Sequence, residues 1–206
     1  MRASLPTKVV FDVGNVLVRW QPEAVYRSLC ENDDDVRWLM ANVHTHEWNL
    51  ELDRGRDWDE AFGELAGQFP EWEKQIRGYQ RRWHESLHDP IEANVKVLRA
   101  LRSAGVETYA ITNFAGPAFR QTQERHTFLT EFDGIVVSGE ERLVKPDREI
   151  FELFLTRYDI VAEDCVFIDD SAANIKAARA LGMTGIHFVE PINLATTLHS
   201  YGFTML

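Results

Sequence analysis

Three short apolar runs that end in polar groups most constrain what this chain can fold into: "VVFD" from Val9 to Asp12, "TYAIT" from Thr108 to Thr112, and "CVFID" from Cys165 to Asp169. Each is nearly continuous rather than alternating, the pattern of a strand covered on both faces, and each runs into turn residues. Two weaker runs, "GIVVS" (Gly134 to Ser138) and "GIHFV" (Gly185 to Val189), read the same way. Helical patterns lie between them. Ile91, Val95, Leu98 and Leu101 recur at helical spacing, with Asp89 as the expected N-cap, Pro90 in the first turn and Gly105 as the stop. Ile150, Phe151, Phe154 and Leu155 share one face of a second helix, and "SAANIKAARALGM" reads as an alanine-rich helix capped by Ser171 and ended by Gly182. Strand and helix alternate from about residue 89 to the end, which predicts an α/β fold with a doubly wound parallel sheet.

Residues 22–88 break that alternation. They carry Trp38, Trp48, Trp58, Trp72 and Trp83 among many acids and arginines at helical spacing, without a convincing strand. The expected organisation is an α/β core from residues 1–21 and 89–206, with an all-α insertion at 22–88. At 206 residues, 45% hydrophobic and 27% charged, the chain has ordinary globular composition, which excludes a disordered or collagen-like protein. A net charge of -11 argues against nucleic-acid binding, because a phosphate backbone requires a basic face. Cys30 and Cys165 are far apart and lack metal spacing, which fits a reducing compartment. No apolar run approaches the roughly 20 residues of a membrane helix, and the N-terminus lacks a signal-peptide pattern. The expectation is a cytoplasmic protein, monomeric or homodimeric, without nucleic-acid or membrane partners.

In an open parallel α/β sheet, ligands bind beyond the carboxyl ends of the strands. Here those ends carry Asp12, the pair Thr112 and Asn113, and the pair Asp169 and Asp170. Lys145, in "RLVKPDREIF", is fixed by Pro146 just ahead of a helix and balances these acids. Taken singly, each has a plain structural alternative: Asp12 as a turn residue, Thr112 and Asn113 as a capping turn, Lys145 as a solvated cation. Asp169 and Asp170 are harder to explain structurally, because adjacent carboxylates repel unless a cation or other partner lies between them.

The ordered set "FDVGNVL", "ITN", "LVKPDREIF" and "FIDDSAANIKAA" resembles the four signature motifs of the haloacid dehalogenase superfamily, over about residues 8 to 190. The helical insertion resembles that superfamily's small cap domain. The resemblance implies a Rossmann-like core and a Mg²⁺-dependent phosphatase acting on a small phosphorylated metabolite, a sugar phosphate being one example. Asp12 would be the nucleophile that forms an aspartyl-phosphate. Thr112 and Asn113 would donate to the transferring group, and Lys145 would stabilise Asp12 and the phosphate. Asp170 would bind Mg²⁺ with Asp12, with Asp169 as a second ligand or outer partner and the Gly14 carbonyl as a further oxygen. The backbone at Val13 and Gly14 would cradle phosphate oxygens. Phosphoryl transfer needs charge neutralisation and alignment, and Mg²⁺ prefers one or two carboxylates plus substrate oxygens, so this division of labour is chemically coherent.

One position departs from the pattern. Two places after the nucleophile, where phosphatases of the superfamily usually carry the general acid/base aspartate, this chain has Gly14 followed by Asn15. That removes an effect worth on the order of 10² to 10⁴-fold. The options are a leaving group that needs little protonation, another residue such as His44, His46, His84 or His88, or a weakly active relative. A subgroup of the superfamily's phosphatases resembles this "DxGNV" form. Each histidine alone is equally a packing residue, so none is assigned to the site. Asp53 and Arg54 in "NLELDRGRDWDEAF" have two readings, an approach to the substrate and a helix start, of which the helix start is the stronger. Two other functions fit the same motifs: a 2-haloacid dehalogenase, in which Asp12 would attack carbon without metal, and a binding protein that lost turnover with Gly14.

Overall fold

In the computed structural model, which describes residues 5–190 and 192–204, the chain is an α/β protein built on a five-stranded parallel sheet with the order β5-β4-β1-β6-β7. The strands are β1 (Lys8–Phe11), β4 (Glu107–Thr112), β5 (Gly134–Val137), β6 (Cys165–Asp169) and β7 (Thr184–His187). All five anticipated runs form strands, with ends shifted by no more than two residues. Alternate residues of β1 face opposite layers, which explains the unbroken apolar sequence. Val9 and Phe11 pack with Leu98, Phe119 and Leu198 on one side. Val10 packs with Phe151, Phe154 and Ile175 on the other. The first layer comprises α6 (Glu92–Ser103), α7 (Gly116–Arg125) and α11 (Leu194–Ser200); the second comprises α9 (Arg148–Arg157) and α10 (Ala172–Ala180), with the short α8 (Ser138–Glu141) following β5.

Strand β1 is central. The chain passes from it to β4 and β5 on one side, then returns to β6 and β7 on the other, so the winding reverses across β1. Register sets Phe11 beside Ala110 and Ile168, which brings the carboxyl ends of β1, β4 and β6 together at the reversal point where such sheets bind ligands.

Helices α1 (Pro22–Arg27), α2 (Asp33–Asn42), α3 (His46–Asp53), α4 (Trp58–Gln68) and α5 (Glu73–Arg82) follow β1 and enclose their own core, including Tyr26, Leu39, Phe62, Ile76 and Tyr79. This helical layer connects to the sheet through an antiparallel ribbon that the sequence reading does not contain: β2 (Val18–Trp20) pairs with β3 (Leu87–Pro90). Asp89 and Pro90, expected to start a helix, therefore lie in a strand, and α6 begins at Glu92 after Ile91, whose N–H donates to the Leu17 carbonyl at 2.8 Å. Pairing with a segment some 70 residues away overrides the local Asp-Pro signal. Ser171 precedes α10 as expected, but its side chain makes no cap bond; Asp169 Oδ1 accepts the Ser171 N–H at 2.8 Å instead. Gly182 ends that helix with φ +104°. Both cysteines are free, Cys165 buried and Cys30 half-buried. Among the described residues, no helix is long and apolar enough to cross a membrane.

The turn after β1 is tied to α6 by a buried amide. Asn94 Nδ2, on α6, donates to the Val16 carbonyl at 2.7 Å. Asn94→Ala strands that carbonyl and is expected to lower unfolding free energy by about 1–3 kcal/mol in urea titration. Unchanged stability would contradict this role for the amide.

Candidate active site

Asp12 follows β1 directly, and its N–H donates to the Ile168 carbonyl of β6 at 2.8 Å, so the side chain stands between the ends of β4 and β6. Its Oδ1 accepts from the Val13 N–H at 2.7 Å and lies 2.8 Å from Lys145 Nζ. The same ammonium donates to Asp169 Oδ2 at 2.7 Å. Lys145 is only 2% exposed, so a full positive charge sits inside the protein between two carboxylates.

Amide side chains hold this arrangement in register. Asn113 Oδ1 accepts the Lys145 N–H at 2.7 Å, and Asn113 Nδ2 donates to the Lys145 carbonyl at 2.8 Å, clamping the lysine backbone to the end of β4. Asn113 was expected to donate to a transferring group; one of its two amide hydrogens is instead committed to Lys145. Asn174 Nδ2 lies 3.0 Å from both oxygens of Asp169. Asn15, with φ +53°, donates from Nδ2 to Asp170 Oδ2 at 3.2 Å and accepts the Trp20 N–H at 3.0 Å. Thr112 is buried at the end of β4 with its hydroxyl unpaired, and it is not among the cavity-lining residues. Val13 is buried in the core, offering the site only its backbone.

Carboxylate oxygens of Asp12, Asp169 and Asp170 lie within 4.8 Å of one another. Burial raises Asp12; Lys145 pulls it down, but Asp169 and Asp170 add to the upward push and the net shift is upward. Burial and then Asp169 raise Asp170 as well. Lys145 is opposed by burial, yet Asp12 and Asp169 more than offset that, so it stays protonated. One ammonium thus leaves three neighbouring acids short of positive charge, the donor chemistry that suits a hard divalent cation. Asp169 is occupied by Lys145, Ser171 and Asn174. The acids with oxygens to spare for an ion are Asp12 and Asp170.

These groups form the floor of a cavity of about 460 Å³. Asp12, Gly14, Asn15, Asn113, Lys145 and Asp170 line its polar end, and Trp20, Leu50, Leu52, Trp58, Trp83 and Phe114 line its apolar wall. Trp83 meets Trp58 edge-on at 5.7 Å and Phe114 at 5.8 Å, joining the helical layer to the sheet through edge-to-face rings. A Cβ at Gly14 would meet nothing within 4 Å, so space is open where a second acid would stand.

The other candidates separate clearly. Among the histidines, only His46 lines the cavity. His44 is buried among Tyr26, Trp48 and Tyr79, and burial pulls it down to about 4. Trp38 and Trp72 stack on each other at 5.4 Å away from the cavity. Asp53 and Arg54 do not start a helix: Asp53 ends α3, Gly55 follows with φ +84°, and Asp57 caps α4 by accepting the Glu60 N–H at 2.9 Å. Asp53 lines the same cavity, with the Ala115 N–H and the Lys145 ammonium both acting on its carboxyl group. Sequence reasoning missed Asn15 and Asn174 as partners of the acid pair and Trp20 and Phe114 as wall residues. Only the asparagine immediately after Gly14 offered a local signal, since asparagine tolerates a left-handed turn.

Comparison with known proteins agrees with this geometry. Residues 8–182 match the family described as haloacid dehalogenase-like hydrolase. The sesquiterpene phosphatase astK of Aspergillus oryzae is 31% identical over 190 residues, covering 92% of each chain. The drimenol cyclase drtB of Aspergillus calidoustus is 27% identical over 87% of this chain but only 33% of its own length. Among solved structures, a HAD family enzyme of Bacteroides thetaiotaomicron in a magnesium complex superposes with a TM-score of 0.76 at 18% identity, covering 95% of this chain and 99% of that one. The motifs, the fold and these matches converge, and the chain belongs to the haloacid dehalogenase-like hydrolase family.

Proposed function

We propose that this hydrolase is a Mg²⁺-dependent phosphatase that cleaves a small monophosphate ester with an apolar organic body. The observation that carries the reading is the two-sided cavity: an acid–lysine floor built for a phosphoryl group, facing a wall of Trp20, Trp58, Trp83 and Phe114. A relative covering nearly the whole chain, described as a sesquiterpene phosphatase, supports both halves of it. The cavity volume of about 460 Å³ is that of a small-molecule site.

Asp12 attacks phosphorus and the ester oxygen leaves, giving an aspartyl-phosphate that water then hydrolyses. Lys145 and the Val13 N–H hold one Asp12 oxygen at 2.8 Å and 2.7 Å, so the nucleophile is oriented before substrate arrives. The buried ammonium offsets charge on the transferring group in a site where water screens little. Asp169 fixes the ammonium, and Asn113 fixes the backbone that carries it. Mg²⁺, held by Asp12 and Asp170 with a further oxygen from the Gly14 carbonyl, would neutralise phosphoryl oxygens. The aromatic wall excludes water and binds the ester's organic part. Metal-free dehalogenation fits less well, because three acids against one ammonium leave a haloacid carboxylate without a counter-charge.

Asp12→Asn is expected to lower kcat by on the order of 10⁴-fold or more in a phosphate-release assay; turnover near wild type would refute the nucleophile. Chelation with EDTA should abolish activity and Mg²⁺ should restore it, whereas halide release from a 2-haloacid without metal would favour the dehalogenase reading. Asn15→Ala, which frees Asp170 to reorient, should raise the Mg²⁺ concentration for half-activation by about 10–100-fold; an unchanged requirement would remove Asn15 from the site. In a substrate panel with Mg²⁺, kcat/KM for prenyl monophosphates should exceed that for sugar phosphates, and the opposite order would overturn the apolar assignment.

A further inference from the structure

We propose that Asp53, which the helical layer presents to the cavity, is the proton donor and acceptor that the chain lacks at Gly14. The inference rests on the phosphatase reading and adds the residue that completes its acid–base chemistry.

Three consecutive residues place that carboxyl group. Asp53 ends α3 and faces the cavity shared with Asp12 and Lys145. Arg54 pairs through Nη2 with Asp147 Oδ2 at 2.9 Å, fastening the turn to the segment just beyond Lys145. Gly55 adopts φ +84°, and a Cβ there would stand 2.7 Å from the Gly139 carbonyl oxygen, so only glycine permits this approach to α8. The turn is held to the sheet domain on both sides, and the acid is held in the cavity that it shares with Asp12 and Lys145. Phosphate anchored on the floor points its ester oxygen away from Asp12, because attack and departure are in line. The departing oxygen therefore faces the helical layer, while the space beside Gly14 is open.

The surroundings of Asp53 suit a group that exchanges a proton near neutrality. Burial raises its carboxyl to about 7, against the pull of the Lys145 ammonium and the Ala115 N–H. Asn49 Nδ2 donates to its Oδ2 at 3.1 Å. The other titratable groups that line the cavity with it include His46 from α3, Asp12 and Asp170, and the buried Tyr79 hydroxyl of α5 is near enough to Asp53 to be raised by it. In the first step Asp12 bonds to phosphorus, the phosphorus–ester oxygen bond breaks, and the Asp53 proton passes to the leaving oxygen to give an alcohol. In the second step the Asp53 carboxylate takes a proton from water as that water attacks phosphorus, which releases phosphate and frees Asp12. Asp53 ends protonated and one water is consumed.

The test is Asp53→Asn assayed with Mg²⁺ on p-nitrophenyl phosphate and on an alkyl monophosphate. Nitrophenolate leaves without a proton, so the variant should release a burst stoichiometric with enzyme and then turn over about 10²–10⁴-fold more slowly than wild type. The alkyl ester should show no burst and a comparable loss, and Asp53→Asn/Gly14→Asp should recover part of the steady-state rate on both. Wild-type kcat on the alkyl ester should fall above pH about 7, where Asp53 loses its proton, and that limb should vanish in the variant. Loss on both esters without a burst, an unchanged steady state, or no recovery with Gly14→Asp would overturn the role of Asp53. Release from neither ester by the wild-type enzyme with Mg²⁺ would instead overturn the phosphatase reading itself, and nitrophenolate release that survives Asp12→Asn would overturn only the nucleophile.

Discussion

The arrangement depends on one buried cation. Lys145 Nζ, 2.8 Å from Asp12 and 2.7 Å from Asp169, makes it feasible to keep two carboxylates at the ends of adjacent central strands, out of water. Removing one partner of such a buried group typically costs about 3–5 kcal/mol, because the remaining charge has nowhere to go. That cost explains why the structure spends Asn113, Asn174 and the Ser171 N–H on holding the lysine and Asp169 in place rather than on contacting a ligand. The result is a rigid floor in which Asp12 is oriented and Asp170 remains available.

The helical layer supplies what the floor lacks. A sheet end can bind and polarise a phosphoryl group, but it cannot enclose the organic remainder of an ester. Trp58 and Trp83 pack against both the sheet core and the helical core, so the apolar wall of the cavity is also the joint between them. In the proposed function, substrate recognition and docking of the two layers draw on the same aromatic surface. The Arg54–Asp147 pair and the contact of Gly55 with Gly139 complete that joint, with the carboxyl group of Asp53 between the two layers.

Much of this was legible before any coordinates. The strands declared themselves because both faces of a central parallel strand are covered, which leaves an apolar run, and the candidate acids follow because they stand where those runs stop. Lys145 was visible through the proline after it. Other features were silent for physical reasons. The β2–β3 ribbon joins two short segments of mixed polarity whose pairing is specified only by tertiary contact. Asn15 and Asn174 are single amides, and nothing in their neighbours reveals which acid they will meet. For Asp53 the helix-start reading fails and the approach to the cavity stands, because Asp-Arg-Gly near a helix boundary looks the same whether the acid caps a helix or ends one; only the left-handed Gly55 and the later cap at Asp57 separate the two.

The account stands on covalent capture of the phosphoryl group by Asp12. Rapid acid quench during turnover, followed by peptide mapping, tests this directly. A hydroxylamine-labile phosphoryl group on the peptide containing Asp12 is the expected result. Efficient phosphate release with no phosphorylated enzyme at any quench time, or with the label on another peptide, would contradict it.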